Sequence, residues 1–308
     1  MGNSLLITGG AGFIGSHVTE ELVDAGYEIT VLDSFVTGSR ENVSHLDIEV
    51  VEGDVREEAT LSRVLPKIDG IFHLAAHIGN VKSIENPFTD AEVNVEGTLQ
   101  LLESAREHDV TNFVYSSSAA IYGEVEYTPV DEVHPVNPDS PYGVTKLTGE
   151  KYAMCYGRLY DIAVVALRYF NVYGTNQYYD EYGNVIPIWS KRLLNDEPLI
   201  IYGDGKQTRD FVNVRDVARA NRLAYESDVE GEAYAIGTGE ATRIGNLARL
   251  SLEISGRTVP INYEPPRDGE VRHSVADISK AERELGFDPT VPINEGLAEY
   301  LSWMETEA

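Results

Sequence analysis

The chain has 308 residues, 42% of them apolar, enough for one large domain or two modest ones around a buried core. It carries 51 acidic against 24 basic residues, a formal charge of −27 spread along the whole length. Nucleic-acid phosphates need a cationic face, so DNA and RNA are not expected partners. The longest aliphatic runs, such as Ile162 to Leu167, fall far short of the roughly 20 residues a membrane span needs.

With 7 lysines against 17 arginines, few ammonium groups offset the surface carboxylates. Such a surface repels itself in dilute salt, but in molar salt the Debye length falls to about 3 Å and the repulsion is screened. A high-salt cytoplasm is the expectation, an ordinary acidic protein the alternative. The start, Met1 to Thr8, lacks a basic region and runs straight into an apolar strand, and Leu6 breaks the myristoylation pattern. An unprocessed, cytosolic chain is expected. A single cysteine, Cys155, excludes an internal disulfide and reads as a small buried apolar side chain. The seven histidines show no metal-ligand spacing.

In chain order, apolar runs at Leu5 to Thr8, Ile29 to Asp33, Ile48 to Val51, Ile71 to Leu74 and Asn112 to Ser116 predict strands. Between them, His17 to Ala25 and Ala91 to Glu107 carry apolar residues near helical spacing. Strand alternating with helix implies right-handed crossovers, hence an α/β, Rossmann-type doubly wound parallel sheet. Ile162 to Arg168 and Ala233 to Ile236 would extend that sheet. The alternation stops after Tyr173. Residues 1–173 plus about 211–237 are therefore expected to form the sheet domain, and about 174–210 plus 238–308 a smaller interleaved lobe.

Directly after the first strand, Gly9-Gly10-Ala11-Gly12-Phe13-Ile14-Gly15 opens a helix with a GxxGxxG pattern. Gly9 permits the tight turn, Gly12 lets backbone approach a pyrophosphate, and Gly15 lets helix pack on strand. The amides of the helix start, Phe13 and Ile14 among them, then face the phosphates. Asp33 ends the next strand, 18 residues after Gly15, placed to bind both hydroxyls of an adenosine ribose. Its carboxylate repels a 2′-phosphate and no arginine adjoins it in sequence, so the expected cofactor is NAD. Asp54 and the Val55 backbone, after the third strand, would face the adenine edge; an ordinary turn aspartate is the alternative.

Tyr142 and Lys146 stand at i and i+4, on one helix face about 6 Å apart. They follow a loop with Pro135, Pro138 and Pro141, while Ser116-Ser117-Ser118 ends a predicted strand upstream. A tyrosine acting as base near neutrality needs its pKa lowered by ~3 units from about 10, which Lys146 and an oxidised nicotinamide ring together could supply.

A strand-end serine with a Tyr-xxx-Lys pair on this framework resembles the short-chain dehydrogenase/reductase superfamily. The segments GGAGFIGSH, HLAA at 73–76, NVEGT at 94–98, SSSAAIYG at 116–123, PYGVTK, RYFNVYG at 168–174 and GDGKQTRDFVNVRDVA at 203–218 narrow the likeness. They resemble its extended branch, the NAD-dependent nucleotide-sugar epimerase/dehydratase family, and within it the UDP-glucose 4-epimerases, over nearly the whole chain. The resemblance implies that Tyr142 is the base for a sugar hydroxyl, Lys146 its electrostatic partner and ribose anchor, and Ser118 a hydrogen bond to the reacting oxygen. It places Leu74, Ala75, Ala76, Ser116 and Tyr169 beside the cofactor, and Asn94 behind the lysine, unless Asn94 is a polar residue of the helix interior. Arg209 and Arg267 match diphosphate-binding arginines; as alternatives, each could be a surface ion pair with Asp210 or Asp268. Asn171 and Asn184 match amide donors to the diphosphate, Ile200 and Tyr202 the segment that holds the uracil, and Glu270 the acid over the nucleotide ribose. A homodimer is implied through helices near 91–107 and 141–157, where Val93, Leu101, Leu102, Ala105, Leu147 and Tyr152 could form that face or pack on their own sheet.

Dehydratases of the family carry Asp-Glu directly after the serine, where this chain has Ala119-Ala120. The expected chemistry is therefore 4-epimerisation of a UDP-sugar by oxidation at carbon 4, rotation of the 4-keto sugar and hydride return. A sugar-nucleotide reductase, decarboxylase or dehydrogenase remains open, as does a nucleotide-binding regulator, which would need none of Ser118, Tyr142 and Lys146. Ser274 stands where epimerases restricted to plain hexoses tend to have a bulky aromatic residue. A small side chain there would admit an N-acetyl group, so UDP-GlcNAc/UDP-GalNAc or a uronic acid sugar could join UDP-glucose/UDP-galactose.

Overall fold

Seven parallel strands form the central sheet of the computed structural model, which describes residues 3–180, 183–266 and 271–306. They are β1 (Ser4–Thr8), β2 (Glu28–Asp33), β3 (Glu49–Glu52), β4 (Gly70–His73), β5 (Asn112–Ser118), β6 (Ala163–Tyr169) and a last strand, Glu232–Ile236. Their order is Glu232–Ile236, β6, β5, β4, β1, β2, β3. All seven strands expected from the sequence are present in this one Rossmann-type sheet. The winding direction reverses at β1, which lies between β4 and β2, so a crevice opens at the carboxyl ends of β1 and β4.

Helices cover both faces, which is why the strands read as continuous apolar runs such as the fully buried Leu5, Leu6 and Ile7. One face packs on Val18 and Leu22 of α1 (Phe13–Asp24) and on Val217, Ala220 and Ala224 of the helix Val214–Glu226. The other packs on Leu101, Leu102 and Ala105 together with Ala153 and Met154. Leu101, Leu102 and Ala105 are thus spent on their own sheet and offer nothing to a partner. Tyr152 and Val144, 38% and 48% exposed, do face outward.

Two helices differ from expectation. α1 begins at Phe13 with Gly12 as its cap, four residues before its apolar periodicity starts, because the glycine turn itself aims the chain into the helix. The 91–107 segment is a broken run: Pro87–Ala91, a wide π-helical turn at Glu92–Glu96, then Gly97–Glu107. Such turns are local insertions that apolar spacing does not reveal. Cys155 is a free, partly exposed cysteine rather than a buried one.

A separate apolar cluster, built around Tyr173, Trp189, Leu247 and Tyr300, draws on residues 173–211 and 244–304. Short strand pairs organise it: Thr208–Arg209 lies between Thr242–Arg243 and His273–Ser274, and Ile261–Glu264 pairs with Leu199–Tyr202. Asp210 holds the junction. Fully buried, it accepts bonds from the backbone N–H and hydroxyl of Thr238 (both 2.7 Å), Gly239 N–H (3.0 Å) and Ala276 N–H (3.1 Å). It is therefore an internal clamp and not the ion-pair partner of Arg209. Among the described residues no helix is long and apolar enough to cross a membrane.

Candidate active site

The glycine turn is sterically specified. Gly9 sits at φ 71°, and a Cβ there would stand 2.7 Å from Ala75 N; at Gly15 it would stand 2.0 Å from Gly9 O. At Gly12 the only neighbour within 4 Å is Gly9 O, at 3.2 Å, so that side of the turn is open. α1 starts there with no side-chain cap and no acidic residue in its first turn, leaving the Phe13, Ile14 and Gly15 amides at an uncapped positive helix end. Leu74 N–H donates to Thr8 O (3.0 Å) and Ala75 N–H to Thr8 Oγ1 (3.3 Å), setting Leu74, Ala75 and Ala76 at the mouth of the same crevice.

Asp33 is buried at the end of β2, each oxygen taking one backbone donor: Ala11 N–H at 2.9 Å and Phe35 N–H at 2.8 Å. Each oxygen keeps a further lone pair for a hydroxyl. Arg40, from the loop after β2, lies 4.3 Å over the Phe35 ring and is paired with Glu52 at 2.6 Å. Asp54 is gripped by Arg56 through Nε (2.9 Å) and Nη2 (2.7 Å), which holds its carboxyl below the usual range, and Val55 is buried beneath it. The Tyr169 hydroxyl joins Ser116 Oγ (3.1 Å) and Asn221 Oδ1 (2.9 Å), and burial pushes it up to about 12.

Ser118 ends β5, and the helix Pro141–Leu159 brings Tyr142 towards it, close enough for Ser118 to pull the phenol's pKa down. The helix begins where expected because Ser140 Oγ caps it, accepting from Gly143 N–H at 3.2 Å, and Pro141 fits the first turn. Its start is also fastened from outside, Tyr142 N–H donating to Ser83 Oγ at 3.1 Å. Lys146 is buried, with its ammonium 4.6 Å from the Tyr115 ring centroid and no ion pair among the described residues. Burial draws it down to about 8 against the opposing fields of Asp90 and Glu150. Without the nicotinamide charge that the expectation included, burial pushes Tyr142 up to about 12, Asp90 adds to this, and Ser118 pulls it down. Desolvation of the phenolate thus opposes its ionisation until a further cation is bound.

Behind this pair lie Asn94, named from the sequence, and groups that motif reading missed, Asp90 first among them. Asn94, buried in the π-helical turn, donates to His77 O (2.9 Å) and accepts from His77 N–H (2.7 Å), and reaches Thr145 Oγ1 (3.1 Å). Asp90, fully buried one turn earlier, takes Thr145 Oγ1 at 2.6 Å and His77 Nδ1 at 3.0 Å. His73 is buried and drawn down to about 3 by burial and by Lys146; it bridges Thr8 (2.8 Å) and Thr98 (2.9 Å) as a neutral core histidine.

Of the residues matched to the nucleotide sugar, Asn171 opens the strand Asn171–Tyr173, its N–H on Asp210 O at 3.0 Å. Asn184, before the helix Val185–Leu194, donates to Val172 O at 3.3 Å. Ile200 and Tyr202 lie on Leu199–Tyr202, with Trp189 Nε1 on Ile200 O at 3.0 Å. Ser274 pairs in register with Arg209, which brings those two positions together from 65 residues apart. Arg267 and Glu270 lie outside the described residues. Shortly after them in sequence, Arg272 clamps Asp204 with two bonds of 2.7 and 2.8 Å, an anchor of the 203–206 turn that no motif announced.

The chain matches the NAD dependent epimerase/dehydratase family over residues 5–237. It belongs to that family. A Methanocaldococcus jannaschii protein named as a UDP-glucose 4-epimerase is 41% identical over 303 residues, 98% of each chain. Two solved structures superpose closely. A Thermotoga maritima UDP-glucose 4-epimerase with UDP-glucose is 38% identical, with TM-score 0.94 and 99% of both chains covered. A Methanobrevibacter ruminantium UDP-N-acetylglucosamine 4-epimerase, in complex with UDP-N-acetylmuramic acid, is 32% identical, with TM-score 0.95, covering 100% of this chain and 99% of that one.

This epimerase/dehydratase family member uses NAD, and its residues fit the group. The open side of Gly12 leaves room for a pyrophosphate, Asp33 has lone pairs for ribose hydroxyls, and Arg40, stacked on Phe35, is paired with Glu52. The φ of −78° at Gly12 is open to any residue, but a Cβ there meets Gly9 O at 3.2 Å, so Gly12→Val is expected to fold with a modestly lowered melting temperature yet retain no NAD. Cofactor released from denatured protein and measured by chromatography checks this; full NAD content in the variant would refute the phosphate site.

Proposed function

We propose that the chain is a 4-epimerase of UDP-sugars, with UDP-glucose/UDP-galactose and UDP-GlcNAc/UDP-GalNAc as the candidate pairs. The observation that carries the reading is the setting of the Tyr142–Ser118 pair. It adjoins Ala119 and Ala120, so the serine is followed by no acid–base pair with which to eliminate water. One base at one hydroxyl suits reversible oxidation of one carbinol and little else.

In this mechanism Ser118 fixes the oxygen on carbon 4, and Tyr142 takes its proton. When bound, NAD would supply reversible hydride acceptance at carbon 4 and a nicotinamide charge that would lower the phenol. Lys146, poised over Tyr115 and in no ion pair among the described residues, would steady the phenolate and hold a ribose hydroxyl. Tyr142 then gives the proton back to the same oxygen. Inversion requires the keto sugar to turn over while its diphosphate stays held, and Arg209, Asn171 and Asn184 with Arg267 are the proposed holders. Residues 1–173 plus about 211–237 would carry the cofactor, and 174–210 plus 238–308 the UDP-sugar.

The purified protein in high KCl with no added cofactor is expected to interconvert UDP-glucose and UDP-galactose, and Tyr142→Phe to lose ~10²–10⁴-fold in kcat. Substrate consumed only with added NAD, with matching NADH, would instead show a net-redox enzyme. Ser274, in register with Arg209, is the proposed determinant of N-acetyl tolerance. Ser274→Tyr should depress turnover of UDP-GlcNAc relative to UDP-glucose by about tenfold or more, on the order of the discrimination steric contacts give; an unchanged ratio refutes that role.

The protein is further proposed to work as a homodimer in the cytoplasm of a high-salt cell, with the outward Val144 and Tyr152 at the subunit contact. Light scattering and thermal unfolding along a KCl series are expected to show a dimer whose stability rises steeply with salt. A monomer throughout, or a salt-independent melting temperature, would count against the respective part.

A further inference from the structure

We propose that Asp90 is a positioning residue for the Tyr142–Lys146 pair, tying the residue between them to the loop after β4 and holding a negative charge within reach of the Lys146 ammonium. The proposal rests on the functional reading above for its kinetic consequences, not for its geometry. Asp90 is fully buried, on a short helix outside every motif, and a buried carboxylate persists only if its oxygens are satisfied. One oxygen accepts from Thr145 Oγ1 at 2.6 Å; the other accepts from His77 Nδ1 at 3.0 Å and Asn94 Nδ2 at 3.2 Å.

These bonds join three elements that must keep register. Thr145 lies on the catalytic helix between Tyr142 and Lys146. His77 continues the Leu74-Ala75-Ala76 segment and is locked to Asn94 by a second, backbone pair of bonds. Asn94 sits in the π-helical turn, whose extra width follows directly after the Asp90 helix. A shift of the catalytic helix along β5 would break the Thr145 contact first.

The charge matters as well as the bonds. Lys146 feels two carboxylates, Asp90 and Glu150, and Glu150 is committed to Arg168 Nη2 (2.7 Å) and Ser117 Oγ (2.7 Å). The other titratable groups facing this pocket are His77 and His73 from the β4 side, Tyr115 from β5, and Tyr142 itself. Lys82 on the helix Asn80–Glu85 pairs with Asp180, and Glu85, Glu92 and Glu96 are exposed. Asp90 favours the charged form of Lys146 and disfavours the phenolate of Tyr142, so removing its charge lowers both groups together. In the NAD-loaded enzyme, where the nicotinamide charge would bring the phenol below the ammonium, Tyr142 would set the acid limb of the rate profile and Lys146 the alkaline limb.

The test is Asp90→Asn in the NAD-loaded enzyme. Both limbs of the kcat/KM profile for UDP-sugar epimerisation are expected to move to lower pH by about one unit, as expected for loss of a nearby charge, with kcat lowered about tenfold. In parallel, 13Cε-lysine NMR reads the Lys146 titration directly among the seven lysines, and its midpoint should fall by a similar amount. A rate lowered uniformly with both limbs and the Lys146 midpoint unmoved would overturn the proposal. If the wild type epimerises no UDP-sugar, the functional reading fails while the NMR comparison still decides this one. Should Asp90→Asn not fold, Asp90→Glu carries the test: charge kept but the Thr145 contact altered, it should retain the wild-type midpoint with a lowered kcat. An unchanged kcat, or a midpoint that drops, overturns the proposal.

Discussion

The site depends on how closely the catalytic helix lies against the end of β5. A Cβ at Gly143 would stand 2.5 Å from the backbone oxygen of Ala120, and one at Gly149 would stand 2.2 Å from the Tyr115 hydroxyl. Tyr115 is fully buried and donates to Lys146 O at 3.2 Å, so it has nowhere to go. Any larger side chain at either position lifts the helix off the strand, and Tyr142 then no longer reaches Ser118. The two glycines cost some helix stability, since each is worth roughly 1 kcal/mol less than alanine in a helix interior. Two features offset this: a 19-residue helix with a serine cap, and external bonds from Ser83 to Tyr142 N–H and between Ser140 and Asn80 (3.0 Å).

Under that contact runs a layer of buried charge. Arg168 meets Glu150 with two bonds (3.1 and 2.7 Å) and also reaches Tyr122 and Glu132 O, while Ser117 completes Glu150. Burial alone would raise the Glu150 pKa, but Arg168 and Ser117 outweigh it and hold the carboxyl below its ordinary value. The stabilisation this represents is complete above the unfolded-state value near 4.5 and is lost as pH falls through the lower folded value. Such a pair adds little net stability over an apolar replacement, yet it fails badly if one partner is removed. Its position links β5, β6 and the catalytic helix, so its value here lies in fixing their register.

The parts of this architecture written in local sequence were legible. The seven strands and the glycine turn follow from short-range pattern, because strand burial and backbone strain act within a few residues, whereas the Ser118, Tyr142 and Lys146 set was reached through the family resemblance. What escaped was set by contacts between distant segments. Asp90 looks like any helix-face acid until Thr145, 55 residues on, closes over it. Asp210 looks like a neighbour for Arg209 until residues 238, 239 and 276 converge on it. The Asp90 charge that bears on Tyr142 escaped for the same reason, since only tertiary packing brings it there.

An acidic chain that handles diphosphates must keep its few working cations from being neutralised by its own carboxylates. The arrangement around Lys146 shows one physical solution. Asp90 and Glu150 act on Lys146 through space, but their oxygens are occupied by Thr145, His77 and Asn94 in one case and by Arg168 and Ser117 in the other. A carboxylate satisfied in this way still supplies its field, which helps keep a buried ammonium protonated, without closing a contact ion pair that would block the ammonium from a ligand. At a net charge of −27, selectivity for anionic ligands therefore depends less on adding cations than on giving each nearby carboxylate a different partner.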